Sequence, residues 1–112
     1  MSTEIPLLLT KALAAAAPLE PGRGSSLLMR HGTLEVRWYA PKGNDPQTPH
    51  TRDEVYLIGS GHGFFARGTE RVAFGPGDAL FVPAHAPHRF EDFSPDFGTW
   101  VIFYGPEGGE TA

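Results

Sequence analysis

Short stretches with alternating apolar and polar residues predict β-strands through most of the chain. From Leu34 to Trp38 the apolar residues occupy every second position, with Glu35 and Arg37 between them. Because successive side chains of a strand point to opposite faces, this period of two predicts a strand with one buried face. Residues 27–29 precede it across His31-Gly32, as in a hairpin. Five later apolar runs predict further strands at 55–58, 63–66, 72–74, 79–82 and 99–104.

Glycine and proline clusters mark the connections between these runs. The segment 67–70, Arg-Gly-Thr-Glu, has the composition of a hairpin connection, and 75–78, Gly-Pro-Gly-Asp, that of a tight turn. Many short strands with this punctuation, and no long helix in the main body, predict an all-β fold, an antiparallel sandwich or barrel.

The first 26 residues have a different character. Pro6 suits the first turn of a helix, Leu9, Leu13 and Ala16 fall on one helical face, and Pro18 ends the pattern. We therefore predict an N-terminal arm or short helix with a linker over 1–26, packed on the domain or on a second subunit. The β-barrel is predicted over 27–105, followed by a flexible C-terminal tail over 106–112.

Composition narrows the classes of function. A chain of 112 residues suits one domain, and the lack of cysteine excludes disulfides and thiolate metal sites, which fits a reducing compartment. The net charge of −4, without a cluster of Lys and Arg, argues against nucleic acid or an anionic membrane surface as partner. The apolar N-terminal segment lacks a basic leader and is too short to span a bilayer. We expect a cytoplasmic protein with a small-molecule ligand.

His50 and Glu54 stand four residues apart, directly before an apolar run. On a helix this spacing would place both on one face, as in zinc hydrolase motifs, with Thr48 as the cap. The continuous run 55–58, closed by Gly-Ser-Gly, favours a strand instead. Residues four apart on a regular strand are separated by about 13 Å, too far to share one metal ion. The chain must therefore bend or bulge within 51–53.

The segment 76–90 supplies a second motif, and here the sequence resembles the cupins. Their first motif has two histidines one residue apart, then Glu, then Gly after six more residues; the second has Gly, five residues, Pro and a later His. The matching residues are His50, Glu54 and Gly61 in the first motif and Gly77, Pro83 and His88 in the second. The resemblance covers about residues 27–105 and is to the small single-domain conserved-barrel cupins. It implies a cupin-type antiparallel β-barrel, or jelly roll, that often pairs as a homodimer.

Carried over residue by residue, the resemblance implies His50, Glu54 and His88 as ligands of a divalent transition metal, with Fe, Zn, Mn, Ni and Cu all possible. Two neutral imidazoles and one carboxylate leave the ion with open positions for a substrate and for dioxygen or water. The alternative is a polar barrel interior in which these three side chains only hydrogen-bond to one another.

Three residues depart from the family pattern. Thr48 stands where the first histidine would be, and a neutral hydroxyl is a weak ligand compared with imidazole. His85 replaces a usual glycine, and Asp92 stands where asparagine is common. The first departure bears on metal affinity, and the other two on loop conformation.

A substrate pocket follows from strand alternation. Tyr56 continues the face of Glu54 and Phe90 that of His88, so we expect both to line the cavity, with Thr48 inside and His85 at its mouth. Tyr56 is the candidate catalytic residue, as hydrogen-bond donor or proton relay. Arg37 is interpreted as part of a solvated strand face.

Three functions fit these residues. The first is a metal-dependent enzyme acting on a small aromatic or carbonyl substrate, with oxygenase-type chemistry favoured. The second is a non-catalytic small-molecule-binding cupin in which Thr48 marks a weakened metal site. The third is a redox-neutral metal-dependent isomerase or lyase.

Overall fold

The computed structural model describes residues 5–111 and forms two antiparallel sheets. Residues 1–4 of the predicted arm and residue 112 of the predicted tail lie outside this range. The elements are α1 (Lys11–Ala16), β1 (Ser26–His31), β2 (Leu34–Tyr39), β3 (Asp53–Ser60), β4 (Gly63–Arg67), β5 (Glu70–Phe74), β6 (Ala79–Val82), β7 (His88–Glu91) and β8 (Gly98–Tyr104). The strand orders are β1-β2-β8-β3-β6 and β5-β4-β7. This confirms the predicted all-β fold.

Rows of opposed residues run across the larger sheet and define its inner face. Directly opposed residues of an antiparallel pair point to the same side of a sheet. The two rows that matter for the site are Glu35–Phe103–Glu54–Val82 and Arg37–Val101–Tyr56–Leu80. Glu54 and Tyr56 therefore face inward together, as the alternation along β3 predicts, whereas Leu57 is exposed on the outer face.

Aromatic rings fill the space between the two sheets. Phe90 on β7 is 1% exposed, and its ring centroid lies 4.7 Å from that of Phe97, 4.8 Å from Tyr56 and 4.9 Å from Phe65. Tilted and edge-on arrangements of this kind are the favoured aromatic geometries. This cluster joins the two sheets and supports the floor of the candidate site.

The charged face of β2 points inward, which corrects the interpretation of Arg37 as solvated. Arg37 is 0% exposed and Glu35 is 8% exposed. The Arg37 guanidinium donates to Glu35, to Ser25 Oγ at 3.2 Å and to Glu20 Oε1 at 2.8 Å. Arg30 and Arg52 also contact Glu35. Buried charges are tolerated when they are paired and hydrogen-bonded in this way.

On the outer face of the same strand, Trp38 packs against two neighbouring glycines. A Cβ atom at Gly98 would lie 2.3 Å from the Trp38 ring, and one at Gly59 would lie 2.7 Å from it. Trp100 adds an edge-on contact with a centroid separation of 5.1 Å. Both faces of β2 are therefore partly buried. The face that carries Trp38 points away from the space between the two sheets, and the face that carries Glu35 and Arg37 points into it.

The N-terminal helix is shorter than its pattern predicts. Helix α1 begins after Thr10, whose Oγ1 accepts a hydrogen bond from Leu13 N at 3.1 Å, so Pro6 and Leu9 lie before it. Ala14 is its buried residue, whereas Leu13 is exposed. The cap decides the start of a short helix, and the predicted Leu9–Leu13–Ala16 face is wrong. No helix within residues 5–111 is long and apolar enough to cross a membrane.

The segment after β8 contacts the barrel. Asp53 accepts hydrogen bonds from Ala84 N at 2.9 Å and from Glu110 N at 2.8 Å, and Gly108 N donates to the Thr51 carbonyl at 2.7 Å. These contacts tie the end of the chain to the start of β3. The domain boundaries and the flexibility of the tail stay predictions.

The buried contacts of Arg37 predict that replacing this residue lowers the free energy of unfolding. Arg37→Leu leaves Glu35 and Glu20 without their closest cation, so we expect a loss of about 3 kcal/mol in unfolding free energy. Arg30→Ala is the matched control: its side chain is 59% exposed, and surface pairs contribute at most about 1 kcal/mol. Urea denaturation measures both, and equal losses would contradict a special role for the buried arginine.

The same network predicts a pH dependence. Burial acts to raise the pKa of Glu35, but hydrogen bonding and charge from Arg37 and Arg30 outweigh it and hold that pKa below its usual value. A lowered folded-state pKa contributes stability that is present above the unfolded value of about 4.3 and lost as the pH falls through the folded value. Glu35→Gln should therefore be less stable than wild type at pH 7, with the difference narrowing below about pH 4. Denaturation curves across this range measure it; a constant difference would refute it.

Candidate metal centre

Three side chains from separate parts of the chain converge between the sheets. Glu54 is the second residue of β3, His88 is the first residue of β7, and His50 lies on the segment before β3. One ligand atom from each lies within 4.8 Å of the others. The helical interpretation of this region is wrong, because the chain bends at 51–52 and β3 begins at Asp53. The bend occurs where the sequence predicts it.

His88 and Glu54 face each other across the interior. His88 Nε2 lies 3.2 Å from Glu54 Oε1, and both atoms are fully buried. Their orientation does not make a hydrogen bond, and neither atom has another partner among residues 5–111. Buried polar atoms without partners are costly, and each such case needs an explanation. A cation between them would satisfy both.

The other nitrogen of His88 determines how the ring can act. Nδ1 lies 2.8 Å from the Ala86 carbonyl oxygen, which can only accept. Nδ1–H therefore donates to Ala86, and the lone pair of neutral His88 is on Nε2, the atom that faces Glu54. Metal-binding histidines are oriented by this kind of contact. The residues present thus fit a metal ion.

His50, on the segment directly before β3, completes the group. Its ring centroid lies 5.4 Å from that of His88 and 5.0 Å edge-on from that of Phe103. Its carbonyl oxygen accepts a hydrogen bond from His85 N at 2.6 Å, which joins the two motif segments. His50 Nε2 lies 3.3 Å from Gln47 Oε1. The imidazole is therefore held near the other two groups by backbone and side-chain contacts.

The protonation of the site follows from burial and from the Glu54 charge. Burial lowers the pKa of His50, which favours the neutral imidazole that binds metals. Burial also disfavours the charged form of His88, but contacts with Glu54 and the Ala86 carbonyl outweigh this effect and raise the pKa of His88. Burial and the Glu54 charge raise the pKa of Tyr56 well above its usual value. Tyr56 therefore stays protonated and acts as a donor.

The predicted pocket residues lie in different surroundings. Tyr56 is fully buried beside the ligand group, and its hydroxyl donates to Gln47 Oε1 at 3.1 Å. Phe90 is buried in the aromatic core. Thr48 is exposed and lines an outer cavity shared with His50. His85 is exposed, with a φ of 70°, a backbone conformation that explains the usual glycine.

Two cavities meet at His50. One of about 480 Å³ is lined by charged and aromatic groups that include Arg23, Arg52 and Phe103. The other, of about 660 Å³, includes Tyr39 and Gln47. Small-molecule sites usually have volumes in this range. A ligand can therefore approach the candidate metal centre from the His50 side.

Sequence reasoning missed a polar group behind His50. Asp45 is 3% exposed and accepts hydrogen bonds from the Tyr39 hydroxyl at 2.5 Å, Gln47 Nε2 at 2.6 Å and Phe90 N at 2.9 Å. These residues lie on a loop and two strands without a shared period. The sequence signal for this polar group was the side-chain amide of Gln47, which directly precedes Thr48. Thr48 stands at the position of the family's first histidine.

Comparison with known proteins agrees with this architecture. Residues 35–95 match the family described as "Cupin domain". The chain belongs to the cupin family. An uncharacterized protein of Streptomyces coelicolor is 35% identical over 81 residues, which are 70% of this chain and 77% of that protein.

Two further matches are to proteins whose names state an activity. The acireductone dioxygenase of Bacillus pumilus is 50% identical over 46 residues, which are 37% of this chain and 26% of the dioxygenase. Among solved structures, one from a study of the DMSP lyases RdDddP and RnDddQII is 26% identical with a TM-score of 0.59. That match covers 69% of this cupin and 41% of the solved chain. The match therefore spans about a quarter of the dioxygenase and about two fifths of the solved chain.

The geometry predicts which histidine matters for metal binding. His88→Ala should abolish tight binding of a divalent transition metal, because it removes the buried Nε2 opposite Glu54. His85→Ala, on the exposed loop, should bind as wild type does. Competition titration with a metal-sensitive dye measures both affinities, and equal losses would mean that the site lies elsewhere.

Proposed function

We propose that this cupin is a mononuclear metal-dependent enzyme that acts on a small organic substrate. The observation that carries the proposal is the buried, unpartnered pair of Glu54 Oε1 and His88 Nε2, with His50 beside it. The pKa of His50 is lowered by burial and that of His88 is, despite burial, raised by Glu54 and the Ala86 carbonyl, and perturbed ionisable groups that converge in a cleft are characteristic of functional sites. His50, Glu54 and His88 would hold the ion, and its identity among Fe, Zn, Mn, Ni and Cu is left to experiment.

A divalent ion held by two imidazoles and one carboxylate supplies Lewis acidity to a chelating substrate and, when redox-active, a site for dioxygen. The other residues of the site would bind and orient the substrate. Phe103 and His50 form part of the cavity wall beside Arg23 and Arg52, so the substrate would meet one phenyl ring and two guanidinium groups as it enters. An aromatic or carbonyl compound could pack on the ring while its oxygen atoms accept hydrogen bonds from the guanidinium groups.

Tyr56 is the proposed catalytic residue. Its hydroxyl is buried, stays protonated because its pKa is raised, and already donates to Gln47 Oε1. A protonated phenol can donate to a substrate oxygen on which negative charge develops. Tyr56 would therefore stabilise the developing charge as a hydrogen-bond donor, rather than start the reaction as a base.

Oxygenase-type chemistry is the favoured reaction class. The likeness to an acireductone dioxygenase supports it, although the shared segment is 46 residues long. A redox-neutral lyase is the second candidate, supported by the structural likeness to DMSP lyases. A non-catalytic binding cupin is the third, in keeping with the exposed Thr48 at the first histidine position.

We also propose a cytoplasmic homodimer. The cysteine-free composition supports the location. Exposed leucines in the N-terminal segment, Leu7, Leu8, Leu13 and Leu19, support self-association.

The deciding experiment combines metal content with dioxygen uptake. We expect close to one equivalent of a transition metal after purification without chelators, and dioxygen consumption with β-diketones or catechols by the Fe- or Ni-loaded protein. Tyr56→Phe should keep the metal and lower turnover, because only the hydroxyl is removed.

Other outcomes separate the candidates. Metal without dioxygen uptake, but with elimination products from carboxylate substrates, would favour the lyase. Metal below about a tenth of an equivalent, unchanged in His50→Ala, would leave the non-catalytic binding protein.

A further inference from the structure

Gln47 presents its side-chain oxygen to the candidate metal centre. Oε1 lies 3.3 Å from His50 Nε2 and accepts a hydrogen bond from the Tyr56 hydroxyl at 3.1 Å. Gln47 is partly buried, whereas its neighbour Thr48 is exposed. The amide oxygen of Gln47 therefore contacts both His50 and Tyr56.

The orientation of this amide is set by Asp45. Gln47 Nε2 donates to Asp45 Oδ2 at 2.6 Å, and Gln47 N donates to Asp45 Oδ1 at 3.2 Å. A carboxylate only accepts, so the NH₂ group must face Asp45 and the oxygen must face away from it. Asp45 is itself held by the Tyr39 hydroxyl and by Phe90 N. The position of Gln47 Oε1 thus depends on a buried and fully engaged neighbour.

The spacing suits a ligand that shares an ion with His50. Adjacent ligand atoms with bonds of about 2.1 Å to one ion lie about 3.0–3.4 Å apart. Gln47 Oε1 and His50 Nε2 are separated by 3.3 Å, and Glu54 Oε1 and His88 Nε2 by 3.2 Å. Each pair, in polar contact in this structure, therefore has a separation compatible with two neighbouring ligands of one ion.

We propose that Gln47 Oε1 is a fourth protein ligand of the metal and takes the place of the histidine missing at Thr48. The inference rests on the proposed function, since it requires that the site binds metal. A carbonyl oxygen has two lone pairs, so one can reach the ion while the other accepts from Tyr56. The resulting set of two nitrogens and two oxygens is harder than the family pattern and disfavours soft ions such as Cu(I).

Co²⁺ tests the inference without any assay of activity. The wild type, Gln47→Ala and the matched control Thr48→Ala are stripped of metal, titrated with Co²⁺ against a competing chelator, and recorded by visible absorption. We expect Gln47→Ala to lose at least about tenfold in affinity and to change the Co²⁺ spectrum, because a ligand is replaced by water. Thr48→Ala should match the wild type in both.

Gln47→Asn protects the test against misfolding of the alanine variant. It keeps the amide but withdraws the oxygen by one methylene, so it should show the same loss and the same spectral change. The proposal is overturned if a folded Gln47 variant binds as tightly as wild type. It is also overturned if affinity falls while the spectrum stays unchanged, since Gln47 would then only position His50. A loss of affinity in Thr48→Ala, with a folded Gln47→Ala that binds as the wild type does, would overturn the proposal and assign the role to the threonine.

The proposed function and this inference fail in different ways. A wild-type protein that binds no Co²⁺ contradicts the metal-dependent function itself. A wild type that binds Co²⁺ with a Gln47→Ala variant indistinguishable from it contradicts the fourth ligand alone.

Discussion

The site depends on one close approach between the two sheets, 3.2 Å between Glu54 Oε1 on β3 and His88 Nε2 on β7. Both atoms are buried, and among the described residues neither has a hydrogen-bond partner. An apolar pair at this position would pack at less cost. The barrel therefore holds two buried polar atoms that a cation between them could bind. This requires that β3 and β7 keep their present separation.

Asp45 links this pair to the rest of the fold. Its carboxylate accepts from Tyr39 on β2, from Phe90 on β7 and from the Gln47 amide, so one loop residue connects both sheets to the candidate ligands. Networks of buried hydrogen bonds are rigid when every member is satisfied. The loop that carries His50 is held in this way although it has no regular secondary structure. Order at the site thus comes from side-chain hydrogen bonds as well as from the sheets.

The barrel interior is divided into a charged end and an aromatic end. Glu35 and Arg37 lie on the same inner face as Glu54 and Tyr56, whereas Phe74, Phe90 and Phe97 fill the opposite end. The aromatic end supplies apolar burial, and the charged end balances its charges through paired arginines and carboxylates. The cavity beside His50 is lined by Arg23, Arg52 and Phe103, so the polar end is also the open end.

The sequence by itself predicted seven of the eight strands and the turns, because alternation and turn composition are local properties; β7, which carries His88 and Phe90, was not among the predicted runs. The three candidate ligands came from the resemblance to the cupin motifs. The alternation along β3 also predicted that the side chains of Glu54 and Tyr56 point to the same face of the sheet. Alternation could not decide which face of β2 is inside, since the partners that neutralise Arg37 include Glu20, 17 residues away. Nor could it place Gln47, whose orientation comes from Asp45 and, through it, from strands β2 and β7. Those choices belong to the tertiary structure, where the cost of burying a polar group is offset only by partners that folding brings together.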